Sequence, residues 1–236
     1  MPRLTWDNAG EKYYESGVSN GVLYPFDTTT RQYAKGVAWN GLISVNENAE
    51  GGDAEALWAD NIKYLNIPSR EEFNPEISCY TYPEEFEACD GSAAIMVGQS
   101  GQTPTNSGVY LAQQKRIPFC LVYRTEIGND LDEEAGYKLH ICYNLLASPS
   151  SKDRQTQQDS PQVLEFSYSC TSTPEKVAGY KPTAHIIIDS RRIASDKLTS
   201  IENALLGTDG SGSETGTDPR ILMPADLLTL LGVTQG

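Results

Sequence analysis

His140 and His185 are the only two imidazoles in the chain, so any acid–base or metal chemistry would start from them. Each lies in a run that reads as a strand, and His185 shares a strand face with Asp189. A metal pair or a Ser-His-Asp relay would use such groups. No nucleophile motif accompanies them. There is no Gly-x-Ser-x-Gly elbow, no P-loop and no dinucleotide fingerprint. One histidine per strand therefore reads as structural. The sequence assigns no catalytic residue, no metal ligand and no cofactor, and an enzyme is not expected.

Asp130-x-Asp132-x-Glu134 has the alternate acids of a calcium loop, yet it lacks the central Gly and the distant bidentate Glu of an EF-hand. It reads as a solvated hairpin tip. Glu47, Glu50, Asp53 and Glu55 surround Gly51-Gly52 and read as a flexible acidic loop. Cysteines stand at 79, 89, 120, 142 and 170. The odd number, the absence of Cys-x-x-Cys and their place in strand-like runs point to buried free thiols in a reducing compartment.

The element that positions most of these groups is a long hairpin. Residues 117–126 run into a polar tip at 127–135 and return over 136–147. On the return strand Tyr137, Leu139, Ile141, Tyr143 and Leu145 share one face, and Lys138, His140, Cys142 and Asn144 share the other. The first face should pack on the domain's own layers. The second, with Lys138, His140 and Asn144, should meet water. Residues 36–46 alternate in the same way, and further strands are expected near 57–65, 73–82, 95–97, 163–173 and 183–189. Residues 83–91 read as a short capped surface helix. Polar loops are expected at 98–108 and 148–161. Ser195 is placed to cap a helix over 195–206, with Leu198, Ile201 and Leu205 as its stripe and Gly207 as its stop. A flexible Gly/Ser/Thr loop comes next at 207–218, then a leucine-rich helical turn at 225–231.

These elements predict a mainly β fold: a β-sandwich or open barrel with one flanking α-helix and extended arms. Its parts are an N-terminal arm at 1–20, a β domain at 21–206, and a loop with a C-terminal segment at 207–236. The net charge of −14 argues against a chain that grips nucleic acid by neutralising phosphates. It suits a wall that phosphate slides past. The first residues carry no apolar secretory core, and no apolar run approaches a bilayer's thickness, so no export signal and no membrane anchoring are expected.

Six strings, taken in order, resemble the major tail proteins (tail tube proteins) of long non-contractile-tailed phages and prophages of Gram-positive bacteria. They are Gly36-Val-Ala-Trp-Asn-Gly-Leu-Ile43, Tyr80-Thr-Tyr-Pro-Glu-Glu-Phe-Glu-Ala-Cys-Asp-Gly91, Tyr123-Arg-Thr-Glu-Ile-Gly-Asn-Asp130, Gly136-Tyr-Lys-Leu-His-Ile141, Ser148-Pro-Ser-Ser-Lys-Asp153 and Gly179-Tyr-Lys-Pro-Thr-Ala-His185. The resemblance implies a tail-tube-like fold, related to the tube subunits of contractile injection systems. It implies a structural virion protein without enzyme activity or cofactor. Copies would close into hexameric rings, and stacked rings would form the tube that conducts DNA at ejection. Partners would be further copies, the tape measure, tail terminator and distal tail proteins, with DNA as a cargo that does not stick. Assembly would occur in the host bacterial cytoplasm.

Under this resemblance 117–126 and 136–146 should line the lumen, joined by 36–46 or 57–65, with Lys138, His140 and Asn144 facing it. The loop bearing Glu47, Glu50, Asp53 and Glu55, the N-terminal arm and the C-terminal tail should make inter-ring or subunit contacts. Two alternatives stay open. One is a receptor- or carbohydrate-binding β-sandwich of a tail tip. The other is the tube subunit of a phage-tail-like bacteriocin.

Overall fold

The computed structural model describes residues 3–98, 102–156, 163–210 and 215–233. Parts of the loops expected at 98–108, 148–161 and 207–218, and the extreme ends of the arm at 1–20 and the segment at 207–236, lie outside the described residues.

In chain order the strands are β1 (Tyr14–Asp27), β2 (Gln32–Tyr33), β3 (Val37–Trp39), β4 (Leu42–Asn46) and β5 (Ala49–Gly51). Then come β6 (Ala54–Ala59), β7 (Ile62–Pro68), β8 (Glu71–Phe73), β9 (Glu76–Cys79), β10 (Ala93–Val97) and β11 (Thr105–Leu111). The last four are β12 (Phe119–Gly128), β13 (Gly136–Ala147), β14 (Phe166–Ser172) and β15 (His185–Asp189), and the helices α1 (Ser195–Leu206) and α2 (Pro224–Leu231) end the chain. The chain is mainly β, with a main sheet in the order β2-β1-β12-β13-β14-β9-β4. No described helix is long and apolar enough to cross a membrane.

The expected hairpin is the centre of that sheet, as β12 and β13, but its alternation breaks once. Phe119 pairs with Leu145 and Leu121 with Cys142, so β13 carries one extra residue there. Asn144 absorbs it at φ 49°, the left-handed region in which Asn is tolerated. Beyond the bulge the strand's faces are exchanged. Ile141 and Tyr143 pack toward the helices, whereas Leu145 joins Cys142 on the opposite side. The five residues expected on one face therefore divide between two. The bulge also lets β13 serve two neighbours: its first half pairs with β15 and its last three residues with β14.

That divergence curls the sheet. β14, β9 and β4 turn back over β1, β12 and β13, and the space between fills with one core, built on Leu23, Trp39, Phe119, Leu121, Tyr168 and Phe86. β3 pairs with β1, and β4 pairs with β9. The chain between them turns at Gly41, φ 80°, where a Cβ would collide with Thr81. No ladder joins β4 to β1 among the described residues, so no closed barrel forms. The outer face of the central strands is covered by α1, by α2 and by the segment before α2, through Ile201, Leu205, Leu227 and Leu222. The helical turn expected at 225–231 is α2, and it flanks the sheet beside α1.

Several local readings change. Residues 83–91 form a 3-10 turn at Glu84–Phe86 rather than a surface helix. Phe86 is buried and touches the rings of Trp39, Tyr82, Phe119 and Tyr168 at 4.6–5.6 Å between centroids, each such pair contributing about 0.5–1.5 kcal/mol beyond its buried area. Ser195 is the first helical residue; Ala194 occupies the capping position without a side-chain bond, and Asp196 complements the dipole instead. The arm is shorter than 1–20, because β1 starts at Tyr14 and pairs with Gly128 at the far end of β12. All five cysteines are buried and unpaired.

Candidate functional site

The pairing of β12, β13 and β15 sets Tyr123 opposite His140, and His185 opposite Cys142, all on one sheet face. Side chains two positions apart on neighbouring strands lie diagonally within reach of each other. Four rings accordingly form a column: Tyr123 on His140 at 4.6 Å, His140 on His185 at 5.3 Å, and His185 on Phe73 at 4.6 Å, with interplanar angles of 8°, 18° and 17°.

Glu47 enters this column from the end of β4. Its Oε1 lies 3.1 Å from His140 Nδ1 and its Oε2 lies 3.7 Å from His185 Nδ1. The Tyr123 hydroxyl donates to Glu47 Oε1 at 2.6 Å. His140 Nδ1 and His185 Nε2 are 3.1 Å apart. On the other side of the imidazole, His140 Nε2 lies 3.0 Å from Thr125 Oγ1. The Thr125 hydroxyl donates to Glu15 Oε1, and the Glu15 carboxylate also takes the Lys138 ammonium.

Burial lowers the pKa of both imidazoles. It outweighs the attraction of Glu47 for His185, whose value falls to about 4 with His140 adding to the drop. It likewise outweighs Glu47 and Glu15 for His140. Burial pushes Glu15 up, but hydrogen bonds from Lys138 and Thr125 more than offset it and hold the carboxyl below its usual value. Both rings are therefore neutral at pH 7, and a neutral imidazole has one bare nitrogen. Thr125, His140 and Glu47 lie in the order of nucleophile, base and orienter. The Thr125 proton, however, is directed at Glu15 and not at His140.

The sequence expectations meet this geometry unevenly. The alternation of β13 places His140 toward open water, yet it is 2% exposed in the chain alone. The physical reason is the curl of the sheet, which covers both faces of the central strands, including most of 119–123 and 139–143 that the resemblance puts on a lumen wall. Lys138 stays half-buried on Glu15. Asn144 donates to the carbonyl of Thr173 and to Glu175 and accepts from Tyr33. His185 does not engage Asp189, whose carboxylate binds the Arg191 guanidinium at 2.8 Å. The acidic tip does not gather its carboxylates: Asp130 receives the amides of Gly10 and Lys12, and Asp132 receives that of Glu134.

The acidic segment at 47–55 is no free loop. It is one side of an arm in which β5 pairs with β8 and β6 with β7. Glu50 accepts from Asn74 at the arm's base, Glu55 points into solvent on β6, and Asp53 closes the joint between the two ladders through the amide of Ser69. The expected strand at 57–65 is this arm's tip, reversed at Asp60 and Asn61 with φ 52° and 63°, as a type I′ turn demands. Asp-Asn is the sequence signal that reveals it. Leu57, Trp58, Ile62, Tyr64, Leu65 and Ile67 all stand exposed on it, with Trp58 at 70% and Tyr64 at 71%. β10 and β11 form a second exposed hairpin bearing Met96, Val97, Val109 and Leu111.

No protein-family model matches the sequence, and no curated protein matches it. Among solved structures, a chain of the sheath-tube complex of PVC, an extracellular contractile injection system in its extended state, is similar with a TM-score of 0.36 and 11% identity over 72% of this chain and 88% of that one. A chain of the 6-fold symmetrised baseplate of the anti-feeding prophage AFP is similar with a TM-score of 0.31 and 6% identity over 78% of this chain and 97% of that one. At these scores the likeness carries no argument about what the chain does.

Proposed function

We propose that the chain is a self-assembling structural subunit, the tube protein of a phage tail, which closes into hexameric rings that stack into a DNA-conducting tube. The observation that carries this reading is the arm tip formed by β6 and β7. A two-stranded hairpin is marginal in water by itself, and this one exposes six large apolar side chains. Fully burying a side chain of this size contributes about 1.5–3 kcal/mol, so a second copy laid over the tip supplies the stability that the tip lacks alone. The hairpin of β10 and β11 has the same character and offers a second contact. Glu50, Asp53 and Glu55 belong to the arm's flank, where they give its inter-ring contacts their acidic edge, while Glu47 at the arm's base turns to the His140–His185 column.

The net charge of −14 supports a conduit that phosphate does not adhere to. The six ordered strings of the sequence support the tail tube protein in particular, with tape measure, terminator and distal tail proteins as its partners in the virion. The lumen wall falls to strands that the chain itself leaves uncovered, with Lys138 and Asn144 at its margin. Negative-stain microscopy of the purified protein at high concentration tests the reading. Tubes or six-fold rings support it; discrete trimers with affinity for glycans would replace it with the receptor-binding alternative.

A further inference from the structure

We infer that Glu47, His140 and His185 form a site for one divalent transition-metal ion of the zinc type, and that the ion pins the base of the 47–73 arm to the central sheet. The three side chains offer donor atoms that all lie within 4.8 Å of one another. A tetrahedral ion with bonds of about 2.0–2.1 Å needs its donors about 3.3 Å apart. His140 Nδ1 lies 3.1 Å from His185 Nε2 and 3.1 Å from Glu47 Oε1. Two imidazoles and a carboxylate are a known zinc donor set, with water in the fourth position. The Glu47 side chain is partly open to solvent, which gives the ion its entry.

The protons around the site point the same way. A carboxylate oxygen only accepts, and the Thr125 hydroxyl donates to Glu15. Thr125 Oγ1 therefore accepts from the N–H on His140 Nε2. That leaves His140 Nδ1 as an electron-pair donor, the form a metal ligand needs, between His185 Nε2 and the carboxylate of Glu47. The Thr125–Glu15 pair is the outer partner that fixes the tautomer of a ligating histidine, and Tyr123 orients the Glu47 carboxylate. The chain positions are also suited to a clamp. Glu47 opens the arm and Phe73 closes it on the face of His185, while β13 and β15 carry the two histidines. An ion here joins three segments that are distant in sequence.

Calorimetric titration of the metal-stripped full chain with zinc chloride tests the inference, with cobalt(II) absorption as the spectroscopic readout. The expected result is one ion per chain and a visible d–d band. Glu47→Gln, at a partly exposed position, should bind more than about 100-fold more weakly and lose the band, with its metal-free melting curve unchanged. Thr125→Val keeps the side-chain shape and removes the outer partner, so it should weaken binding by about 10–100-fold. His185→Asn should behave as Glu47→Gln does; should that variant fail to fold, Glu47→Gln still decides. The inference is overturned if the intact chain takes up no stoichiometric zinc or cobalt, or if Glu47→Gln binds as tightly as the intact chain.

Discussion

Phe73 lies flat on His185, with ring centroids 4.6 Å apart and planes 17° apart. This contact fastens the returning strand of the exposed arm to the edge strand of the central sheet. Asn74 closes the arm's base through its amide on the carbonyl of Asn48, so the stack and the base are one joint. Phe73→Ala should cost about 2 kcal/mol, below the roughly 3–5 kcal/mol of a fully buried phenylalanine because this ring is half-buried. Denaturant unfolding checks the value, and hydrogen exchange should show the arm's amides loosened more than those of β12. Equal exchange across both would contradict the joint.

His185 sets a pH dependence with a definite sign. Its pKa is near 6.5 in an unfolded chain and is lowered by burial to about 4 in the fold. Between these values the unfolded chain takes up a proton that the fold refuses, so stability falls as pH drops through this window and is level above it. Unfolding midpoints of the metal-stripped chain should be lower at pH 5 than at pH 7. His185→Phe keeps the stack on Phe73 and should remove much of that difference. The same difference in the variant would refute the assignment.

Lys152 reaches from the segment after β13 to Asp90, which is 8% exposed, at 2.5 Å. It also faces the rings of Tyr82, Phe166 and Tyr168. Removing one partner of such a pair strands the other charge in the core. Lys152→Met should lower stability toward the bottom of the roughly 3–5 kcal/mol range for broken buried pairs, since Lys152 keeps some contact with water. Adding Asp90→Leu should recover most of the loss. Thermal melts of the single and double variants give the answer, and a double variant no better than the single would rule out a stranded charge as the cause.

Asn144 is the hinge of β13 at φ 49°. A β-branched residue there meets a conformational cost of about 1–3 kcal/mol, besides losing the bonds to Thr173 and Glu175. Asn144→Val should therefore be markedly more destabilising than Asn144→Gly in denaturant unfolding, since the glycine loses the same bonds without the backbone cost. Equal losses would show that the bonds alone matter.

The sequence makes the β12–β13 hairpin, α1 and the unpaired cysteines legible, because each rests on a local pattern. Alternation marks strands, a 3-4 stripe marks a helix, and spacing marks thiols. What it hides is the cover over each face. Lys138, His140 and Asn144 look equivalent on a strand written out flat. The bulge at Asn144 and the curl toward β14 send them into three settings: an ion pair with Glu15, a buried ring column, and a side-chain cross-link. The Glu47–His140–His185 cluster is illegible for the same reason. Its members lie on three segments, and the register that joins them is tertiary. The arm at 47–73 is half legible. Its acids and Gly51-Gly52 suggest a loop, while the turn at Asp60-Asn61 holds the evidence of a hairpin.

In the proposed assembly the arm tip joins one copy to the next. Ser69 donates to Asp53 and closes the ladder below the tip, so residues 54–68 can be replaced by a short Gly-Ser link without disturbing Glu47 or Phe73. Electron microscopy of this variant beside the intact chain, at matched high concentration, is the most direct measurement. Rings or tubes are expected for the intact chain and only monomers, with an unchanged melting curve, for the variant. Assembly of the variant to the same rings or tubes would contradict this role of the tip.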